Sequence, residues 1–355
     1  MAAATELQGA PSPNIGSMYS SEWVFLHRLL EDATHRVASP EDADLFIVPT
    51  FAWNHAGPHG GPVILERIEL LVAFLKSTPP ASTYWARRGG ADFVIWANGD
   101  LGACTLPAHL RSFVVAAEYG HTDLRRRNGD APEVQPCMTG LRGVVVPTTA
   151  PAVPLLAAER TYGNGSAVRA RDTLLFFSGT VIDDRSYSQH VRWEVLQLWA
   201  NVSDSYVRDS KHLPPGEAPM GEDVMLERMR GSRFCLAPSG HGFGVRITFS
   251  MLTGCVPVVI QDGVRQPLDD VLPYWRFSLR LAQADIPHLE RILRAVTPDE
   301  LAVLQAGVER YHPYFVWCTS NAECAAAGGR ARAYHGVLES LHRKLYNAAG
   351  GFASL

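Results

Sequence analysis

Arg246 stands just past a run of small residues, Ser239-Gly240-His241-Gly242-Phe243-Gly244, and opens a stretch with helical spacing. That combination suits an anion. Glycines let the backbone approach a bound group, and the first turn of a helix offers free N–H donors at the positive end of its dipole. A guanidinium there adds a planar fork that can hold two phosphate oxygens. The loop follows the apolar run Phe234-Cys235-Leu236-Ala237-Pro238. The helix-like stretch leads to Cys255-Val256-Pro257-Val258-Val259-Ile260, which stops at Gln261-Asp262-Gly263. Strand, glycine loop, helix and strand make a βαβ unit with its loops at the carboxyl ends of the strands, where open α/β sheets bind ligands. The spacing matches neither the dinucleotide fingerprint nor the P-loop, so a nucleotide site and an ordinary crossover both fit. In the first reading Ser239, Gly240, Gly242 and Gly244 line the nucleotide loop, Arg246 meets phosphates, and Gln261, Asp262 and Gly263 touch base or sugar. In the second, Arg246 pairs with Asp262 or Asp269, and Asp262 closes an Asx-type turn.

The elements that would position these residues alternate along the chain. Trp23, Leu26, Leu29 and Leu30 recur at helical spacing. Leu45 to Val48 and Phe93 to Trp96 are short apolar runs that read as buried parallel strands, with 144–146 a third. A polar, glycine-rich loop with Trp53, His55 and His59 follows the first. Asn98-Gly99-Asp100 ends the second. Residues 150–172, rich in proline and glycine, read as a linker. Beyond them 174–177 is a strand, 190–199 a helix, then the βαβ unit, then helices at 286–296, 298–311 and 331–346. Strand–helix alternation on both sides of the linker predicts two α/β layers with parallel sheets. The expected division is a leader at 1–17, an amino-terminal domain at 18–160, a carboxy-terminal nucleotide-binding domain at 161–346 and a tail at 347–355.

A chain of 355 residues, 46% hydrophobic and 19% charged, suits two folded domains. A net charge of −4 offers no field for nucleic acid or an anionic membrane. The leader MAAATELQGAPSPNIGSMYS lacks the basic flank and apolar core of a signal peptide. The cysteines contain no CxxC pair, which argues against zinc. Cys235 and Cys255 read as core thiols, Cys318 with Cys324 as a bridge in an oxidising compartment, and Cys104 with Cys137 as a weaker pair. Asn164 and Asn201 stand in N-x-S sequons, which permit a luminal location. Asp42-Ala43-Asp44 has the letters of a metal motif but reads as a helix-to-strand turn.

The wording RFCLAPSGHGFG…R…GCVPVVIQDGVRQPLDDVLPYWRFS resembles the core of the exostosin family of glycosyltransferases, above all its algal-type members. YSSEWVFLHRLL, SPEDADLFIVPTF, GGADFVIWANGDLGAC and RDTLLFFSGTVIDDRSYSQHVRWEVL fall in that family's order, so the likeness runs from about Tyr19 to Tyr346. It implies a GT-B fold, two Rossmann-like domains facing a central cleft. It also implies sugar transfer from a nucleotide-sugar donor, expected to be a UDP-sugar, to a glycan or glycoprotein acceptor. Inverting transfer needs a held diphosphate, a placed hydroxyl and a base. Asp100 is the base candidate, its alternative being a turn aspartate. Arg185, where the family also has an Arg, is a second diphosphate candidate, its alternative a pair with Asp183 or Asp184. Trp53 and His55 are placed on the acceptor side, and Trp96 could stack on a sugar or fill the core. No cofactor and no metal are expected. The resemblance further implies the Golgi, with membrane attachment only through an anchor absent from this chain, and complexes with other glycosyltransferases. Two positions depart from the family's pattern. Phe249 replaces a Glu expected at the donor ribose, and Gly99 replaces the His of a His-Asp pair. They keep open a second reading, a weak or inactive carbohydrate-binding or scaffold relative.

Overall fold

The computed structural model describes residues 19–51, 61–107, 110, 113–122, 137–149, 154–163, 170–213, 215–240 and 245–348. Two parallel sheets carry the fold. In the amino-terminal half the strands are β1 (Phe46–Val48), β2 (Phe93–Trp96), β3 (Val114–Ala117) and, past the short β4 (Gly120–His121), β5 (Gly143–Val145). Their order is β1-β2-β3-β5, all parallel. Every residue of β2, β3 and β5 is buried, as apolar strands sandwiched between covering layers must be. The helices Gly61–Ser77 and Ala81–Arg88 make the crossover from β1 to β2.

The carboxy-terminal half contains β6 (Thr173–Gly179), β7 (Ser205–Asp209), β8 (Ser232–Pro238), β9 (Val256–Ile260), the short β10 (Val264–Arg265) and β11 (Leu279–Leu281). The order β11-β9-β8-β6-β7 is parallel throughout. The crossovers are the helices Val191–Trp199, Glu222–Arg230 and Val245–Thr253. The chain runs from β6 outward to β7, then returns to place β8 on the other side of β6. That reversal is a topological switch point, and the crevice beyond the carboxyl ends of β6 and β8 is where such sheets take ligands.

The two α/β layers are those expected, and they are joined. β10 pairs antiparallel with β4, Val264 opposite His121 and Arg265 opposite Gly120. Thr122 N donates to Gly263 O at 3.0 Å and Thr122 Oγ1 to the same oxygen at 2.6 Å. The Trp317 indole donates to Pro147 O at 3.0 Å. The last helix, Ala333–Ala348, returns to the amino-terminal half: Tyr334 packs 5.2 Å from Phe25, and Lys344 Nζ donates to Gly140 O at 3.0 Å. One buried apolar cluster consequently runs through both sheets, from Phe25 and Trp96 to Phe177 and Leu236.

Some details differ from expectation. The stretch read as a linker contains the helix Pro154–Tyr162, whose last residue is anchored by a bond from the Tyr162 hydroxyl to Met251 O. Cys235 and Cys255 are bonded as a disulfide rather than standing as core thiols, and Cys104–Cys137 and Cys318–Cys324 are also bonded. Cys235 lies within β8, opposite Pro257, and Cys255 directly precedes β9, so the adjacent parallel strands bring the two within bonding reach. Asp42 ends a short 3-10 helix before β1, as a turn. Among the described residues no group of three metal-ligating side chains is gathered, and no helix is long and apolar enough to cross a membrane.

Candidate active site

The tips of β6 and β8 form a cationic cradle. Arg246 is in the first turn of Val245–Thr253, and Arg192 in the first turn of Val191–Trp199. Both guanidiniums lie over the Phe177 ring, at 5.4 Å and 5.7 Å. Arg192 is well supplied with acceptors: Nε donates to Ser239 O at 2.8 Å, and Nη1 to Thr180 O at 3.0 Å and to the Tyr187 hydroxyl at 2.7 Å. Among the described residues Arg246 has only the Met225 sulfur, at 3.7 Å. Among the described residues neither has a carboxylate partner. Burial, and then repulsion from Arg192, lower the Arg246 pKa to about 10, and burial lowers that of Arg192 too. Two like charges held together in a half-dry crevice are costly unless an anion joins them.

Two glycines keep the cradle open. A Cβ on Gly179 would stand 2.7 Å from Arg246 Nη2, and one on Gly240 would stand 3.1 Å from Arg192 Nη2. Of the residues singled out in the sequence, Ser239 and Gly240 thus stand against Arg192 in the cradle that also holds Arg246. Arg192, Gly179 and Thr180 complete the set, and sequence reasoning does not single them out. The RWEVL wording contains Arg192, but an Arg on an amphipathic helix ordinarily reads as solvated. Gly242, Gly244, Trp53, His55 and His59 lie outside the described residues. Arg185 is exposed on the loop after β6, and Asp183 pairs with His190 rather than with it. Asp269 does not pair with Arg246 either; it is held by Arg265 at 2.5 Å.

Gln261, Asp262 and Gly263 sit at the tip of β9, where their described bonds hold the fold. Gln261 Nε2 donates to Ala237 O at 2.9 Å, Asp262 O accepts from Gln189 Nε2 at 2.8 Å, and Asp262 Oδ1 accepts from Gln283 N at 3.3 Å. Gly263 turns at φ 70°, and its carbonyl is the one Thr122 binds.

The facing tips of the amino-terminal sheet are acidic. Asp100, half-buried after β2, accepts a hydrogen bond from the Tyr19 hydroxyl, and Tyr19 O accepts one from Asn98 Nδ2 at 2.9 Å. Glu22 is buried at the tip of β1. Its Oε1 accepts from Thr50 N at 2.6 Å, Thr50 Oγ1 at 2.7 Å and Phe51 N at 2.9 Å, clasping a turn in which Phe51 has φ 41°. Glu118, one residue past β3, accepts from Ser21 N at 3.3 Å, and its Oε2 is buried without a partner. Burial pushes Glu22 up to about 7 and Glu118 up to about 8, the second also through its proximity to Glu22. Trp96 is fully buried, with its indole bonded to Ser21 Oγ, so it fills the core rather than stacking on a sugar.

The tip of β5 touches both poles. Thr149 Oγ1 accepts from Ser20 N at 3.2 Å, and the Thr148 and Thr248 hydroxyls meet at 3.1 Å. Thr248 is two residues past Arg246 on the same helix. Phe249 faces away, into a cluster with Phe176, Leu252 and the Cys235–Cys255 bridge. Gly99 turns at φ 117°, a backbone region that suits glycine.

The chain is similar to several plant proteins. It is 29% identical over 293 residues to the probable glucuronosyltransferase Os03g0107900 of Oryza sativa subsp. japonica, covering 79% of this chain and 64% of that one. With the rice protein Os01g0926400, also described as a probable glucuronosyltransferase, it shares 27% identity over 94% of this chain and 76% of the relative. With a probable glucuronoxylan glucuronosyltransferase of Arabidopsis thaliana the figures are 27%, 91% and 66%. The chain therefore spans about two thirds of the length of these relatives. A solved structure, AviGT4, a glycosyltransferase involved in avilamycin A biosynthesis, aligns over 88% of each chain at 14% identity, with a TM-score of 0.29, too low to bear on the fold. The model of the exostosin GT47 domain matches residues 4–296. With that match over most of its length, the chain belongs to the exostosin GT47 family of glycosyltransferases.

Proposed function

We propose that this protein moves a sugar from a UDP-sugar to a glycan or glycoprotein acceptor, with inversion at the anomeric carbon. The observation that carries this reading is the pair of guanidiniums, Arg192 and Arg246, converging on the switch point between β6 and β8 with no carboxylate partner among the described residues. A donor diphosphate seated there meets fixed positive charge, which offsets the negative charge that grows on it as the glycosidic bond breaks. The two guanidiniums take the part a divalent ion plays elsewhere, so no metal is required. The acceptor hydroxyl attacks from the amino-terminal side, and its proton passes to Asp100, whose carboxylate the Tyr19 hydroxyl orients. The names of the relatives make glucuronic acid the first sugar to test.

Phe249 and Gly99, the two departures that favour a non-catalytic relative, have roles in packing and turning the chain. We further place the protein in the Golgi lumen, a reading supported by the disulfides, which persist in oxidising compartments. Complexes with other glycosyltransferases belong to the same reading. A screen of sugar release from UDP- and GDP-sugars, with thermal shift by UDP alongside, tests it. Binding to the folded state raises the melting temperature as RT ln(1 + [L]/Kd) requires. No hydrolysis and no shift would remove the enzymatic reading.

A further inference from the structure

The turn leading into the helix Val191–Trp199 is strained. Ser188, Gln189 and His190 have φ of 57°, 51° and 69°, successive non-glycine residues in the left-handed region. Such residues cost on the order of 1–3 kcal/mol each and persist where their surroundings over-determine them. Here the surroundings are the tips of two strands. Ser188 N donates to Gly240 O at 2.9 Å, and Gln189 Nε2 donates to Asp262 O at 2.8 Å. Gln283 Nε2 donates in turn to Gln189 O at 2.7 Å. The turn thus spans the carboxyl ends of β8 and β9, beside the cradle.

Two atoms of this turn have no partner. Ser188 is 1% exposed and its Oγ makes no hydrogen bond; Gln189 Oε1 is likewise buried and unbonded. The orientation of the Gln189 amide follows from its neighbour. Asp262 O can only accept, so the nitrogen faces it and the oxygen points elsewhere. A buried polar atom without a partner costs about 1–3 kcal/mol. Strain and orphaned polar atoms in one turn, at strand tips next to an anion cradle, mark a surface that a ligand completes.

An accepting amide oxygen and a donating hydroxyl on consecutive residues offer the complement of a ring N–H next to a ring C=O. Uracil and guanine have that pattern. Cytosine and adenine have an unprotonated ring nitrogen next to an amino group instead. We propose that Ser188 and Gln189 read the nucleobase of the donor, Gln189 Oε1 accepting from the ring N–H and Ser188 Oγ donating to the adjacent carbonyl. The proposal rests on the donor site argued above and adds to it the residues that choose the base.

Calorimetric titration of the full chain with UDP, GDP, CDP and ADP tests it, using wild type, Ser188→Ala and Gln189→Met, with a melting temperature for each. In the wild type, UDP or GDP binds at least about tenfold tighter than CDP and ADP, and the tighter of the two identifies the base. Each substitution lowers that preference toward unity by weakening the preferred nucleotide and leaving CDP and ADP unchanged. Equal binding of all four by the wild type, or variants that shift melting temperature but not the preference, would overturn base reading and leave the cradle standing. Failure of the wild type to bind any of the four would overturn the donor site itself, and this proposal with it.

Discussion

The two halves put opposite charges at corresponding places. Both are parallel α/β layers, and in both the carboxyl ends of the strands face the seam. The amino-terminal tips hold Glu22, Asp100 and Glu118; the carboxy-terminal tips hold Arg192 and Arg246. Glu22 and Asp100 are tied down by hydrogen bonds from backbone and hydroxyl groups and Glu118 by one of its two oxygens, whereas among the described residues Arg246 is held only by the Met225 sulfur. A charged group that the fold already satisfies is placed to position or to take a proton. A charged group that the fold leaves unsatisfied is placed to bind. Arg192 is intermediate: its bonds to Ser239 O, Thr180 O and the Tyr187 hydroxyl fix it beside the less partnered Arg246.

The comparison breaks first at Asp100. Asp100→Asn keeps the shape and the bond from Tyr19 but removes the proton acceptor, and kcat should fall by about 10²- to 10⁴-fold with UDP affinity intact. Loss of UDP affinity instead would move Asp100 out of the acceptor side. Next is Arg246→Ala, expected to lower kcat/KM by about 3 kcal/mol, with Arg246→Lys partly active. Because among the described residues Arg246 has no carboxylate to orphan, melting temperature should hold or rise. A lower melting temperature with unchanged UDP affinity would make Arg246 structural.

The acids make a prediction about pH. Glu22 and Glu118 titrate near 7 and 8 in the folded protein, above their ordinary range. The folded state therefore binds their protons more tightly than the unfolded chain does. Their contribution to stability is complete below about pH 4.5 and is lost as pH rises through 7 and 8, on the order of a few kcal/mol in all. Glu118→Gln should flatten the fall of melting temperature between about pH 4.5 and 8, as differential scanning fluorimetry would show. A profile as steep as the wild type would place the titration elsewhere. The smallest effect is expected at the seam. Thr248→Val removes the hydroxyl contact with Thr148 and should cost about 1 kcal/mol in urea unfolding with kcat unchanged. A large loss of kcat would show that the seam sets the distance between the poles.

Much of this fold is legible in the sequence. Phe93-Val94-Ile95-Trp96 and Val256 to Ile260 are continuous apolar runs, and central parallel strands look like that. Pro298–Tyr311 begins with a capping box, Thr297 with Glu300, and ends where expected. Ser205–Asp209 escapes such reading because its mixed residues match no buried-strand pattern; it is the edge strand of its sheet. Of the site, the glycine loop and Arg246 can be read because neighbours in sequence define them. Arg192, Tyr19, Glu22 and Glu118 cannot, since their meaning comes from partners far along the chain. Glu118 is 97 residues from the backbone N–H it accepts from. The Cys235–Cys255 bridge is hidden for a related reason, since a buried cysteine and a bridged one look the same until the strand register is known.

The ladder between β4 and β10 has a mechanical consequence. Domains joined by a bare linker can open like jaws, but these are riveted at the rim, by Val264 opposite His121 and by both bonds of Thr122 to Gly263. The returning last helix adds a strut on the same side. The distance between the acidic and basic strand tips is thus a built dimension rather than the outcome of closure. Exchange of whatever binds at the strand tips then cannot rest on the two halves swinging apart as whole domains.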